Sequence, residues 1–162
     1  MFQSGGSVQS TYNRYQPIGQ VGTPASETGW DVDTAICQDD SSPATGIGYG
    51  LAVGRGSDSD RACYLGGTFR GITRANPSNS VQLFTDKYSD GENMPIVVRG
   101  DVFVVAEGAV TAGEVVYYNA STGALGHSGG TAIDDAMWMT TTAAGQIGVV
   151  RLGVATGNSD AG

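Results

Sequence analysis

Basic and catalytic side chains are what this chain has least of. One lysine, Lys87, and one histidine, His127, stand among 162 residues, and charged residues of both signs make up only 15%. Eight Lys and Arg face sixteen Asp and Glu, so the formal net charge is −8 and the pI about 4.3. A surface of that sign repels phosphate backbones, which makes nucleic acid a poor partner candidate. Glu, Lys and Leu are too scarce for a charge-rich helical bundle or coiled coil. The longest apolar run is residues 102–106, far short of the ~20 residues that a membrane-crossing helix needs. Met1-Phe2-Gln3-Ser4-Gly5-Gly6 has neither the basic start nor the apolar stretch of a secretory signal, so export by that route is not expected. Cys37 and Cys63 are the only cysteines, with no CxxC spacing and no neighbouring histidine. In a chain without a signal they read as two buried free thiols in preference to a disulfide.

What is abundant is small. Glycine contributes 26 residues, and with Ser and Thr it makes up a third of the chain. That share alone would suit disorder, but 40% apolar residues with seven Tyr and two Trp do not. No glycine period of three supports collagen. A single acidic, loop-rich, all-β domain remains, small enough that assembly could add much of its stability.

The pattern along the chain divides at about residue 30. Residues 1–30 carry Phe2, Tyr12, Tyr15 and Trp30 with Pro17 and Pro24, and have no apolar period of 2 or 3.6. Too aromatic for a linker and too irregular for a core, they read as an extended arm ordered against a neighbour. Residues 31–157 read as the body and 158–162 as a flexible tail. Within the body about ten short β-type runs alternate with Gly, Asn and Asp clusters, the spacing of a barrel or sandwich. Residues 46–53 place Ile47, Tyr49, Leu51 and Val53 on one face, with three glycines opposite them, as where another backbone approaches closely. Gly66-Gly67 between residues 62–65 and 68–73 reads as a two-residue hairpin turn. Val102 and Val104 alternate with Phe103 and Val105, which suggests a strand buried on both sides. Residues 134–144 have room for at most one helical turn, because Thr140-Thr141-Thr142 opposes more.

Motifs that could carry chemistry fail on context. Gly126-His127-Ser128-Gly129-Gly130 spells G-x-S-x-G, but a nucleophile elbow needs a helix after the serine and a later histidine, and neither is there. Arg99-Gly100-Asp101 spells an adhesion tripeptide, yet between two Val-rich runs it reads as a tight turn or a kink at a positive-φ glycine. Asp31/Asp33, Asp39-Asp40, Asp58/Asp60, Asp86/Asp90/Glu92 and Asp134-Asp135 do not follow the twelve-residue calcium loop. Solvated loops are their default; an interchain calcium or a carboxylate pair for glycoside hydrolysis stays open on spacing alone. The glycines at 48, 50, 54 and 56 form neither a dinucleotide fingerprint nor a Walker loop. Asn119-Ala120-Ser121 is a glycosylation sequon without a secretory context. No catalytic residue, cofactor site or metal site is assigned.

Order and spacing over residues 96–152 carry a resemblance. Val97-Val98-Arg99-Gly100-Asp101-Val102-Phe103-Val104 is followed by Glu107-Gly108-Ala109-Val110-Thr111-Ala112-Gly113-Glu114-Val115-Val116-Tyr117. Then come Ala136-Met137-Trp138-Met139 and a closing Ile147-Gly148-Val149-Val150-Arg151-Leu152. This resembles the structural cement (capsid decoration) proteins of tailed bacteriophages, with their "G-x-V-x-A-G-x-x-V-Y" and "x-x-V-x-L" segments. Tyr12-Asn13-Arg14-Tyr15-Gln16-Pro17 is similar to their arm, and Phe69-Arg70-Gly71-Ile72-Thr73 to their "F-x-G-I/V" strand. Gly46-Ile47-Gly48-Tyr49-Gly50 stands where they have "P-F-G", without the Pro and Phe.

The resemblance implies a non-enzymatic virion protein, all-β, with one β-barrel or β-sandwich (jelly-roll-like) domain and an extended N-terminal arm. It implies a homotrimer on the exterior of the phage capsid, made in the host bacterial cytoplasm, whose partner is the major capsid protein. No cofactor, membrane, nucleic acid or small-molecule substrate is expected. Phe2, Tyr12, Arg14, Tyr15 and Trp30 are the expected capsid-binding residues, since the arm has aromatic anchors and no core of its own. Tyr49, Leu51, Phe103 and Val105 are the expected trimer-packing residues. A carbohydrate-binding or adhesin-like surface β module is the alternative, and it requires Tyr117, Tyr118 or Trp138 to be exposed.

Overall fold

The structure, a computed structural model, describes residues 19–26, 30–76 and 87–153. Eleven strands and no helix occur among them. Five form a closed ring: β1 (Asp31–Cys37), β4 (Ala62–Tyr64), β3 (Ala52–Arg55), β5 (Phe69–Thr73) and β7 (Asn93–Val105), with β7 pairing back onto β1. Closure removes the open edges that make short strands prone to aggregate. A two-stranded ribbon, β2 (Ile47–Gly48) with β6 (Lys87–Tyr88), lies beside the ring. From β7 a second sheet continues through β11 (Ile147–Leu152), β10 (Thr131–Trp138), β8 (Val115–Tyr118) and β9 (Leu125–Gly126). A bridge between Ala106 and Leu125 curls that sheet back towards the end of β7.

The thirteen-residue β7 joins the two units, and its sequence shows how. Met94 and Ile96 point into the barrel core beside Ala35, Cys37, Val53 and Cys63. Val97, Val102 and Val104 point into the second core beside Val116, Trp138 and Val150. A strand with opposite faces in two cores reads as a continuous apolar run at that point. Gly100 makes the change of direction possible: its φ is +115°, and a Cβ there would stand 2.0 Å from the Cβ of Trp30. Of the two readings for Arg99-Gly100-Asp101 the kink holds, inside one strand and not between two.

Three local expectations change. The Gly66-Gly67 connection is not a hairpin, because β4 and β5 both pair with β3, on its opposite edges. The connection passes directly over Gly54, where a Cβ would lie 1.8 Å from the Gly66 carbonyl oxygen. Residues 46–53 are not one strand but β2, a turn at Tyr49-Gly50, and the start of β3. No helical turn forms after Asp134: β10 runs on to Trp138 through a bulge at which Asp135 takes φ +57°.

The described part of the arm lies along the body. Gly22 donates its N–H to the Phe103 carbonyl (2.8 Å), Phe103 donates to the Thr23 carbonyl (3.0 Å), and Ala25 donates to the Asp101 carbonyl (2.9 Å). Residues 19–26 thus cover the free edge of the second half of β7. Residues 1–18 and 158–162, where most of the arm and the tail are expected, lie outside the described residues.

Candidate functional site

The chemistry-bearing side chains are taken up by structure. Asp39 accepts from the hydroxyl and N–H of Ser41 through Oδ1 and from the Gly46 N–H through Oδ2. These bonds, the Ser41 hydroxyl foremost, hold its carboxyl below the ordinary 3.8. Asp33 is likewise lowered by the hydrogen bond from Arg70 at 2.8 Å. Arg151 donates to both carboxylate oxygens of Asp101, at 2.6 and 2.8 Å. The Asp101 side chain is only 12% exposed, so the adhesion reading of residues 99–101 lacks a free carboxylate.

Ser128 and His127 sit in an exposed irregular loop with no helix after it. Among the described residues no group of three or more His, Cys, Asp or Glu is placed to hold a metal ion. An open groove of about 540 Å³ between barrel and second sheet is lined by Phe69, Tyr118, Thr131 and Asp134 among others, and Asp134 is its one ionisable acid. Cys37 and Cys63 pair in register on neighbouring parallel strands as free, buried thiols. Burial pushes Cys37 up to about 12 and also raises Cys63, which leaves both as inert core residues.

Phe2, Tyr12, Arg14 and Tyr15 lie outside the described residues. Trp30, just before β1, packs half-buried on the core of the second sheet, with the Arg74 guanidinium 5.0 Å from its ring centroid. Tyr49 is 8% exposed and lies in the barrel core. Its ring is 5.2 Å from that of Tyr88, and its hydroxyl donates to the Asn76 carbonyl. That side chain is packed inside the fold. Leu51 is half-buried. Tyr118 and Trp138 are buried, their polar tips donating to the carbonyls of Gly67 and Gly126. The surface-module alternative therefore keeps only Tyr117, which is half-buried.

Phe103 and Val105 belong to a larger feature. They are not on a face buried on both sides: Val102 and Val104 are fully buried, whereas Phe103 is half-buried and Val105 is 42% exposed. The register β7–β11 sets Val105 opposite Ile147 and Phe103 opposite Val149. The next pairings set Met137 opposite Arg151 and Val115, the latter 50% exposed, opposite Met137. Directly opposed residues share a face, so four strands present one apolar outward face, closed at one end by the Arg151–Asp101 pair. Ile147, Val149, Met137 and Val115 were not singled out in the sequence, although Ile147 and Val149 repeat the odd-position phase of Phe103 and Val105. An apolar sheet face that the described residues leave partly exposed is of the kind that marks an interaction surface. Among the described residues the fold offers a partly exposed apolar sheet face and no assembled metal-binding group.

The comparisons with known proteins point the same way. The family model described as structural cement protein (E217 gp24/Pam3 gp6) matches residues 8–153. Among solved structures, a chain from the capsid of Myoviridae phage XM1 superposes with a TM-score of 0.66 at 17% identity. The match covers 90% of this chain and 97% of that one, a likeness of fold. None of the curated proteins matches.

Proposed function

From the premise that this chain belongs to the phage structural cement family, we propose that it binds the outer surface of the assembled head and clamps neighbouring major capsid subunits. The family match over residues 8–153 is the observation that carries the reading. The protein is a capsid cement, a structural component of the virion. It acts by binding and not by turnover.

The mechanism is mass action. A protein that binds the mature lattice and not its ruptured form stabilises it by RT ln(1 + [L]/Kd) per site, about 2.7 kcal/mol at a hundredfold excess over Kd. Many such sites on one shell add up. A closed barrel suits the task because it resists deformation and offers no open edge to neighbours in a crowded lattice. The net charge of −8 keeps an exterior protein away from packaged nucleic acid. The arm supplies the capsid contacts through Phe2, Tyr12, Arg14 and Tyr15, and Trp30 fixes its base on the body. Three copies assemble into a trimer, with Phe103 and Val105 near the subunit contacts.

Co-sedimentation with heads lacking the protein tests this. Saturable binding of the full chain is expected, with weaker binding after deletion of residues 1–18 and an unchanged fold. No head-bound copies of the full chain would overturn the reading. A trimeric mass in solution is expected, and a monomer at all concentrations would remove the trimer from it.

A further inference from the structure

We propose that the groove between barrel and second sheet binds an arginine side chain of a partner protein, its aliphatic stem lying on Phe69 and its guanidinium meeting Asp134. The inference rests on the cement reading for the partner, the major capsid protein, and adds a contact on the body to those of the arm.

An irregularity in β10 shapes the groove. Ala132 and Met137 lie five positions apart on β10, but their partners on β8, Tyr117 and Val115, lie only two apart. Three residues of β10 are therefore extra, a larger bulge than the usual single insertion. Within it Asp135 has φ +57° and is the one non-glycine residue at positive φ among the described residues. Bulges re-aim side chains, and backbone held in this region gathers at binding sites.

Asp134 is what the bulge presents. It is exposed, it lines the groove, and its carboxylate makes no hydrogen bond or ion pair with the described residues. Asp33, Asp60 and Asp101, by contrast, each hold an arginine of their own chain. The facing wall is aromatic. Phe69 is half-buried, and its ring centroid lies 5.6 Å from that of Tyr118, with the planes inclined at 47°. The Tyr118 hydroxyl donates to the Gly67 carbonyl (3.0 Å) and so ties the two walls together. A groove fixed in this way costs little ordering when it is filled.

Charge selects the occupant. At about 540 Å³ the groove has the size of a ligand pocket. Its one carboxylate, on a chain of net charge −8, favours a cation. Arg55 and Arg70, which share the neighbouring cavity with Phe69, are matched by Asp60 and Asp33 and do not oppose it. Arginine suits the site better than lysine, because a planar guanidinium takes a carboxylate in a two-bond fork and stacks on a ring. A sugar suits it less: it needs a broad flat ring face, and Tyr118 is only 4% exposed and inclined to Phe69.

Titration of the isotope-labelled full chain with acetyl-Gly-Arg-Gly-amide, followed by amide NMR shifts, tests the site without heads. Saturable shifts are expected at residues 68–69 and 131–135, with a midpoint of roughly 10 mM for one exposed ion pair on a ring. The same peptide with citrulline, alike in shape but uncharged, should bind about fivefold more weakly, and so should the arginine peptide to Asp134→Asn. The citrulline comparison needs no variant and keeps the test valid where Asp134→Asn fails to fold. Equal binding of the two peptides, or no saturation by about 100 mM, overturns the proposal. Saturation by methyl glucoside without response to the arginine peptide assigns the groove to a sugar and overturns it too. On heads, Asp134→Asn should co-sediment about fivefold more weakly than the parent, and equal co-sedimentation overturns the capsid protein as the partner. Peptide binding by a full chain that leaves heads unbound would sink the cement reading and leave the groove standing; head binding without peptide binding would do the reverse.

Discussion

Replacing Gly100 with alanine strikes the one position where the kink of β7, the base of the arm and both cores meet. Two costs arise, and a second glycine separates them. The first is backbone strain, because φ is +115°; holding a side chain in such a region costs of order 1–3 kcal/mol. The second is steric. The new Cβ would lie 2.0 Å from the Trp30 Cβ and 2.8 Å from its Cα, so the Trp30 backbone must move and not merely a flexible tip. Such overpacking adds roughly 1–3 kcal/mol, and it pulls Trp30 away from Arg74. Gly113 is the control: its φ is +94°, and nothing stands within 4 Å of a Cβ there. Gly113→Ala should therefore show the strain alone. Urea unfolding followed by tryptophan fluorescence and far-UV circular dichroism measures both variants. Gly100→Ala should lose about 2 kcal/mol more than Gly113→Ala, a large share of the 5–15 kcal/mol typical of a domain. A difference below about 0.5 kcal/mol would refute the claim that Trp30 is wedged over the kink.

Trp138→Phe removes the donor to the Gly126 carbonyl and leaves a gap in the second core, so thermal unfolding should show a loss of about 2–4 kcal/mol; a loss under 1 kcal/mol would contradict that packing. Asp33 and Asp39 are both held below their ordinary carboxyl range, so their contribution is present above the unfolded value of 3.8 and is lost as pH falls through the folded values. The urea midpoint should thus stay level from neutral pH to about pH 5 and fall below about pH 4. The Asp33→Asn/Asp39→Asn double variant should fall less steeply, and an unchanged acid slope would remove these residues from the explanation. Thiol reagent should label neither cysteine in the native state and both after unfolding; rapid native labelling would contradict their burial.

The parts of the fold that could be read in advance were local. Alternation in residues 102–105 and 147–152 located β7 and β11, and the scarcity of helix formers located the class. What could not be read was order across the chain. Nothing in residues 52–55 says that β3 lies between β4 and β5, since that depends on the path of the connection over Gly54. Tyr49 is expected at subunit contacts and Tyr118 is among the residues the surface-module alternative needs exposed, because nothing near either in sequence signals a buried acceptor; the carbonyls of Asn76 and Gly67 supply those acceptors. The apolar outward face was half legible. Phe103 and Val105 stood out, but Ile147, Val149, Met137 and Val115 join them only through the register of four strands. Gly100 was legible as a kink, yet its partner Trp30 had been assigned to the capsid and not to the body.

The most direct test of cement function is the rupture of heads under heat, measured with and without this protein by release of packaged DNA. Heads loaded with the full chain should rupture at a higher temperature, with the increase following site occupancy. Equal rupture temperatures at full occupancy would contradict the account.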